Sequence, residues 1–440
     1  MTVTADGWRQ TPAARPQSRA VAAKRLVLPA RREIPKIVRW SLIAFSATLP
    51  FEAADLGFAS SSFSLAKLAG LGFLGAYFFH YNPVSGKRRC PPISAPLWCF
   101  LVYLGVYLAN GFFLNHVYFG QFVSIFLTLA QLALLFWICS SLFRNESLAR
   151  GVLIAYALAA VASSLGTLLH VPGFSTVIDT RMGARVTSLE FNPNFLAYSL
   201  ALAAIILAGF ALDMSGRWSG KKIFLMCLIL PPLAMIVRTG SRAGLAAFAI
   251  GFAICALFSR QSHRKFALVA LCIFVGAALA YLMIQNQTAL ARIQQAYSGN
   301  LASRWEILSA SLGMALERPL LGWQPVAQWT ELGRRVGLIW GVKDAHNLVF
   351  HLLLEAGLVG AVPFLIGLYL CARNAWRARS GRLGILPFAL ILAALSANLT
   401  HTYLTRKPQW LVLALGVAAG TAGQRKPGFY VIRRPVNSPQ

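Results

Sequence analysis

Residues 193–212 read PNFLAYSLALAAIILAGFAL, without one Asp, Glu, Lys or Arg. A hydrocarbon core about 30 Å thick needs roughly 20 apolar residues in helical form. The preceding Asn192 is a good cap, and Pro193 falls at the first helical position, where its missing N–H costs nothing. The stretch reads as a helix that crosses a bilayer. Extended along the chain in both directions, the same reading predicts spans at 38–54, 63–81, 96–114, 119–142, 151–170, 193–212, 223–237, 242–258, 266–285, 346–371, 384–403 and 408–424.

Composition agrees. The chain is 57% hydrophobic and 12% charged, against about 25% charged in a soluble domain. So large and apolar a core needs lipid as its solvent. The net charge of +28 does not point to nucleic acid, because the basic residues form no single face or aromatic-interleaved stripe. They cluster between the apolar runs: Lys87-Arg88-Arg89, Arg144 with Arg150, Arg217 with Lys221-Lys222, Arg264-Lys265, and Arg373, Arg377, Arg379 and Arg382. The alternate connections 55–62 and 115–118 contain no Lys or Arg. By the positive-inside rule both ends are cytoplasmic.

The expected organisation is an all-α membrane protein of about 12 transmembrane helices. Residues 1–37 form a disordered basic tail near anionic lipid, and 38–285 hold nine spans. A helical periplasmic segment fills 286–345, three spans fill 346–424, and a second cytoplasmic tail fills 425–440. Within the outer segment, Ser303-Arg304-Trp305-Glu306 reads as a capping box. Trp305, Leu308, Leu312 and Leu316 then recur at helical spacing, predicting an amphipathic helix over about 303–317 on the outer surface. Arg318-Pro319 ends it, and Gly322-Trp323-Gln324-Pro325 is a turn. The seven cysteines lie in apolar runs or beside cytoplasmic clusters, so no structural disulfide is expected.

Basic residues outside run against the insertion bias. They include Arg185, Arg238, Arg242, Arg304, Arg334, Arg335, Lys343, Arg406 and Lys407, of which Arg334 and Arg335 are expected in an exposed loop. Three helices start from the outer side, at Asn192-Pro193, at Ser241 and near Asp344. A helix N-terminus offers free N–H groups and partial positive charge to an anion, and arginine adds a planar fork that matches phosphate. Arg185, Arg238 and Arg242 are therefore candidates for a pyrophosphate cradle. Their competing roles are headgroup contact and pairing with Asp179 or Glu190. His346, at a helix mouth, is either a cap, a base or a phosphate ligand. His351 and Glu355, four apart, are expected to hydrogen-bond and brace one helix. His401 is read as an interfacial residue at a span end.

Four segments resemble the O-antigen ligase and polymerase family of polytopic membrane glycosyltransferases. They are Leu49-Pro50-Phe51-Glu52; Arg185 with Asn192-Pro193-Asn194; Arg238-Thr239-Gly240-Ser241-Arg242-Ala243-Gly244; and the outer segment with Ser303-Arg304-Trp305, Arg318-Pro319-Leu320-Leu321-Gly322, His346-Asn347 and Glu355-Ala356-Gly357. The resemblance implies a GT-C-like fold and inverting, metal-independent transfer on the periplasmic face of a bacterial inner membrane, with no cofactor. It implies an undecaprenyl-diphosphate-linked glycan donor. Arg185 and Arg242 match arginines that engage the diphosphate, and His346 matches an essential histidine. Arg304, Asp344, Asn347 and Glu355 are supporting candidates. The acceptor it implies first is lipid A–core, making a ligase; a second lipid-linked repeat would make a polymerase. A secondary transporter also fits twelve spans, but its ionisable groups belong near the midplane, and here they gather at the outer rim.

Overall fold

The computed structural model describes residues 34–52, 64–80, 92–178, 185–188, 192–213, 219–258, 304–337 and 341–423. The expected span at 266–285, most of both tails and the first part of the outer segment lie outside the described residues. Nine helices come first: α1 (Lys36–Thr48), α2 (Leu65–His80), α3 (Ala95–Gly111), α4 (His116–Leu142), α5 (Glu146–Leu168), α6 (Pro193–Asp213), α7 (Gly220–Cys227), α8 (Leu230–Arg238) and α9 (Arg242–Leu257). Then come α10 (Arg304–Glu317), α11 (Ala327–Arg335), α12 (Leu348–Arg377), α13 (Leu386–Asn398) and α14 (Lys407–Gly423). A short 3₁₀ turn, Leu49–Phe51, follows α1.

Side-chain caps set several starts. Asn115, Asn145, Ser241 and Asn347 each accept a hydrogen bond from a free N–H of the first turn, as caps do. By length and apolarity, α4, α5, α6, α12 and the stretch Gly220–Arg238 could each cross a membrane. α2, α3, α9 and α13 are apolar but shorter.

α6 sits at the centre and is buried along nearly its whole length, which explains an apolar surface on every side. It packs against α5, α8, α9 and α13, while α12 packs against α3 and α14. Small residues let the helices close up. A Cβ on Gly244 would lie 2.5 Å from that of Ala197, and one on Gly251 would lie 2.4 Å from Ile205.

Four features depart from the sequence reading or add to it. The first is a two-stranded antiparallel hairpin, β1 (Ser175–Ile178) with β2 (Arg185–Ser188), pairing Ser175 with Ser188 and Ile178 with Arg185. The described fold is thus mostly helical, in keeping with the expected all-α class, with one short β-hairpin added. The second is a break in the span expected at 223–237. It is two helices, α7 and α8, divided at Leu228–Ile229, because Pro231 and Pro232 lack the N–H groups that a continuous helix would use.

The third feature adds to the expectation and is in α10. It spans the expected residues, but its buried side is Ile307, Ser311 and Met314. Trp305 and Leu316 are 72% and 71% exposed, with Leu312 also exposed. Ile307 and Met314 form a core with Leu332, Ala345 and Leu354, so packing partners selected the face. The fourth is Arg335, expected in an exposed loop. It ends α11, gives bidentate bonds of 2.6 and 2.7 Å to Glu317, and bonds Glu331 at 2.7 Å. Its guanidinium lies 4.9 Å from the centre of the Trp323 ring, which Arg318 also approaches at 4.2 Å. Trp323 Nε1 donates to Met314 O.

Helix α12 is interrupted at Gly357, whose φ of +57° and ψ of −163° belong to a region that glycine alone enters readily. The segment 319–323 docks into the break. Leu358 N donates to Pro319 O at 2.8 Å, Val359 N to Leu320 O at 3.2 Å, and Trp323 N to Leu354 O at 2.6 Å. Asn110 Nδ2 donates to both Leu321 O and Glu355 O. Backbone groups freed by the break thus find partners, as a buried helix requires.

Candidate active site

Several helix ends meet at one end of the bundle. Gly244, in the first turn of α9, packs on Ala197 in the first turn of α6. The connection 399–407 lies over that same turn: Tyr403 OH donates to Asn194 O, and its ring stacks on Tyr198 at 4.3 Å. On the other side this connection meets the start of α12, where Asn347 Nδ2 donates to Leu399 O at 3.2 Å. The 3₁₀ turn joins through an ion pair between Glu52 and Lys407. The Leu49-Pro50-Phe51-Glu52 segment thereby acquires a structural role.

His346 stands where these parts converge. Its φ is +51°, a strained value for a residue with a side chain. Asn347, the next residue, caps α12 by accepting from Val349 N and Phe350 N. His346 Nδ1 faces His401 Nδ1 at 3.2 Å and lies 3.6 Å from Asp344 Oδ2. Asp344 Oδ1 meets His351 Nδ1 at 3.1 Å, and His351 Nε2 meets Glu355 Oε1 at 3.2 Å. Tyr103 OH donates to Glu355 Oε2 at 2.8 Å. The expected His351–Glu355 contact is present, within a longer polar chain from His401 to Tyr103.

The local electrostatics separate the members. Burial pushes His346 below its ordinary value; Lys343 and Arg304 add to this and Asp344 opposes it. Burial, then the neighbouring His346, lowers His401 to about 4. For Asp344, burial alone would raise the carboxyl, but the His351 hydrogen bond and nearby histidines hold it at about 2. The site therefore pairs two neutral imidazoles with one carboxylate near neutral pH.

The structure sets Asp344 beside His346, with Asn347 next to them at the start of α12, and links Glu355 to Asp344 through His351. Arg304 opens α10 and contributes positive potential at both His346 and His401. Arg238 ends α8 and Arg242 opens α9, across a buried Thr239-Gly240-Ser241 turn in which Gly240 has φ +62°. They reach this end through the packing of α9 on α6. Arg185 begins β2, and its side chain lies outside the described residues. Sequence reading missed His401 as a partner. The helix expected to run to 403 stops at Asn398, freeing 399–406 as a connection. The available signal was the cluster of His401, Tyr403, Arg406 and Lys407 between two apolar runs.

Asp344, His346 and His401 each offer one ligand atom within 4.8 Å of the others, a spacing that a divalent cation could bridge. The two imidazole nitrogens, however, face each other nearly in line. The ring centres are 5.4 Å apart and the planes only 25° from parallel, as in one N–H···N bond.

Residues 225–365 match the family model for O-antigen ligase. Over that stretch, about a third of the chain, the protein is similar to O-antigen ligases. The ligase stretch contains Arg238, Arg242, Arg304, Asp344, His346, Asn347 and Glu355, whereas Arg185, His401 and Arg406 lie outside it. The likeness agrees with the membrane character of the chain, whose described residues include helices long and apolar enough to cross a bilayer. No curated protein shows a significant match to the chain.

Proposed function

We propose that this protein transfers a glycan polymer from undecaprenyl diphosphate to lipid A–core at the periplasmic face of a bacterial inner membrane. It crosses that membrane about twelve times with both ends cytoplasmic. The observation that carries the reading is a half-buried His346 3.6 Å from Asp344, within the stretch that matches O-antigen ligase, where burial favours the neutral imidazole.

The chemistry follows from that pair. A hydroxyl of the acceptor attacks the anomeric carbon as the bond from that carbon to the diphosphate oxygen breaks. The electron pair leaves on the diphosphate, and the hydroxyl proton passes to His346 Nε2. Attack opposite the leaving group inverts the anomeric centre. Arg185, Arg238, Arg242 and Arg304 bind the diphosphate and stabilise its growing charge with planar N–H forks. The starts of α6 and α9 add partial positive charge. Asp344, 3.6 Å from His346 Nδ1, stabilises the imidazolium as it forms. Asn347 and Glu355 hold the strip of chain that carries both groups. Proton and charge demands are met by side chains, so the transfer runs without a metal or cofactor.

A deletion strain tests the acceptor. Lipid-linked polymer should accumulate while lipid A–core stays bare. Accumulation of single lipid-linked repeats would instead establish a polymerase. With purified protein, donor and acceptor, His346→Ala should lose about 10²–10⁴-fold in rate, the usual contribution of a positioned base.

A further inference from the structure

We infer that His401 is a positioning residue that fixes His346 in the tautomer a general base needs, with the proton on Nδ1 and the lone pair on Nε2. The inference rests on the glycosyl-transfer reading of this site. His401 lies outside the family-matched stretch.

The two Nδ1 atoms are 3.2 Å apart and nearly in line, so they share one proton, and only one ring can donate. Charge decides which. Asp344 Oδ2 lies 3.6 Å from His346 Nδ1, which favours a proton on that atom and disfavours a lone pair there. The other oxygen of Asp344 is held by His351. Arg406 and Arg304 place positive potential on His401, while Lys343 and Arg304 do so on His346, so neither ring readily takes a second proton at rest. His346 therefore donates through Nδ1 and His401 accepts.

The backbone holds the pair in register. The left-handed turn at His346 aims its ring. His401 is fixed by its own N–H to Ala397 O at 3.2 Å and by the edge of Tyr403. The Asn347–Leu399 bond ties the two segments together.

During transfer the acceptor O–H bond breaks and an Nε2–H bond forms on His346. The resulting imidazolium strengthens its Nδ1–H bond to His401, and no proton need leave the pair. Without an acceptor at position 401, His346 also samples the Nε2–H form, which cannot take the proton. A base in the wrong tautomer forfeits much of its contribution.

The test compares His401→Ala, His401→Phe and His401→Asn in lipid nanodiscs, with undecaprenyl-diphosphate-linked glycan as donor and lipid A–core or a second lipid-linked repeat as acceptor. Asparagine can place an acceptor oxygen near the lost Nδ1. We expect His401→Ala and His401→Phe to lower kcat about 10–100-fold at little-changed donor KM, and His401→Asn to recover most of that loss. Wild-type kcat in His401→Ala, or a loss in His401→Asn as deep as in His401→Ala, overturns the tautomer role. So does a loss confined to KM. His346→Ala separates the two levels. A variant that still transfers overturns the base reading and this inference together; an inactive one supports the base, and the His401 variants then decide the tautomer. A readout independent of turnover is the ¹⁵N spectrum of histidine-labelled protein near neutral pH. It should show His346 protonated at Nδ1 and bare at Nε2, and the reverse assignment sinks the inference. A chelator that abolishes wild-type transfer, with zinc restoring it, would reassign Asp344, His346 and His401 as metal ligands.

Discussion

At the scale of single residues, protonation is the property that matters. A base must be neutral, and burial holds His346 below its ordinary value, about 6.5. Transfer should therefore rise with pH through a midpoint below about 6.5 and be flat through neutrality. A rate that falls steadily from acid to neutral pH would instead make His346 a charged phosphate clamp. The same burial ties stability to pH. His401 titrates at about 4 when folded and near its ordinary 6.5 when unfolded. Its contribution is full above about 6.5 and is lost as pH falls towards 4. Thermal melting in nanodiscs should drop by a few degrees on acidification across that window, and less so in His401→Asn. An equal drop in both proteins would remove His401 as the cause.

At the scale of elements, the broken helix α12 and the segment 319–323 form one device. A Cβ on Gly357 would lie 2.1 Å from Leu320 O, and one on Gly322 would lie 2.6 Å from Leu354 O. Gly357→Ala should cost about 1–3 kcal/mol from backbone strain alone, with further loss as 319–323 is displaced. Lower thermal stability and new chymotrypsin cleavage after Trp323 would report this. An unchanged melting curve would show that the break is not needed. Arg335 pins the same assembly through Glu317, Glu331 and Trp323. Arg335→Ala should lower the melting temperature by a few degrees and speed proteolysis of 318–335. Arg334, 72% exposed and bound only to Glu331 among the described residues, should matter little, because exposed pairs contribute weakly.

At the scale of the whole molecule, orientation decides whether the site faces its proposed substrates. Reporter fusions after residues 218, 262 and 378 should report cytoplasm, and fusions near 180 and 325 periplasm. A cytoplasmic signal near 325 would overturn both the topology and the proposed face of transfer. Packing adds a second constraint. Because α6 is enclosed by α5, α8, α9 and α13, the ends of these helices nearest the site are held in one array. A charge introduced midway along it, such as Ala204→Asp at a fully buried position, should prevent stable insertion or folding. Normal yield of that variant would contradict the central placement of α6.

The medium, the helices and many of their ends are legible in the linear chain. Apolar runs of bilayer length and alternating basic connections are local properties, and caps such as Ser241 and Asn347 act over three residues. The resemblance to O-antigen ligases was likewise legible, because it rests on short motifs such as Arg238–Gly244 and His346-Asn347. Which groups meet was settled only by folding. The facing of His346 and His401 joins residues 55 apart. The Glu52–Lys407 pair joins residues 355 apart. Neither has any periodic or local signature. The buried side of α10 was also undecidable from its own sequence, since that helix carries apolar residues on two faces. Only the partners Leu332 and Leu354, brought in from other elements, select Ile307 and Met314 over Trp305 and Leu316. Local chemistry specifies elements, and long-range packing free energy specifies their contacts.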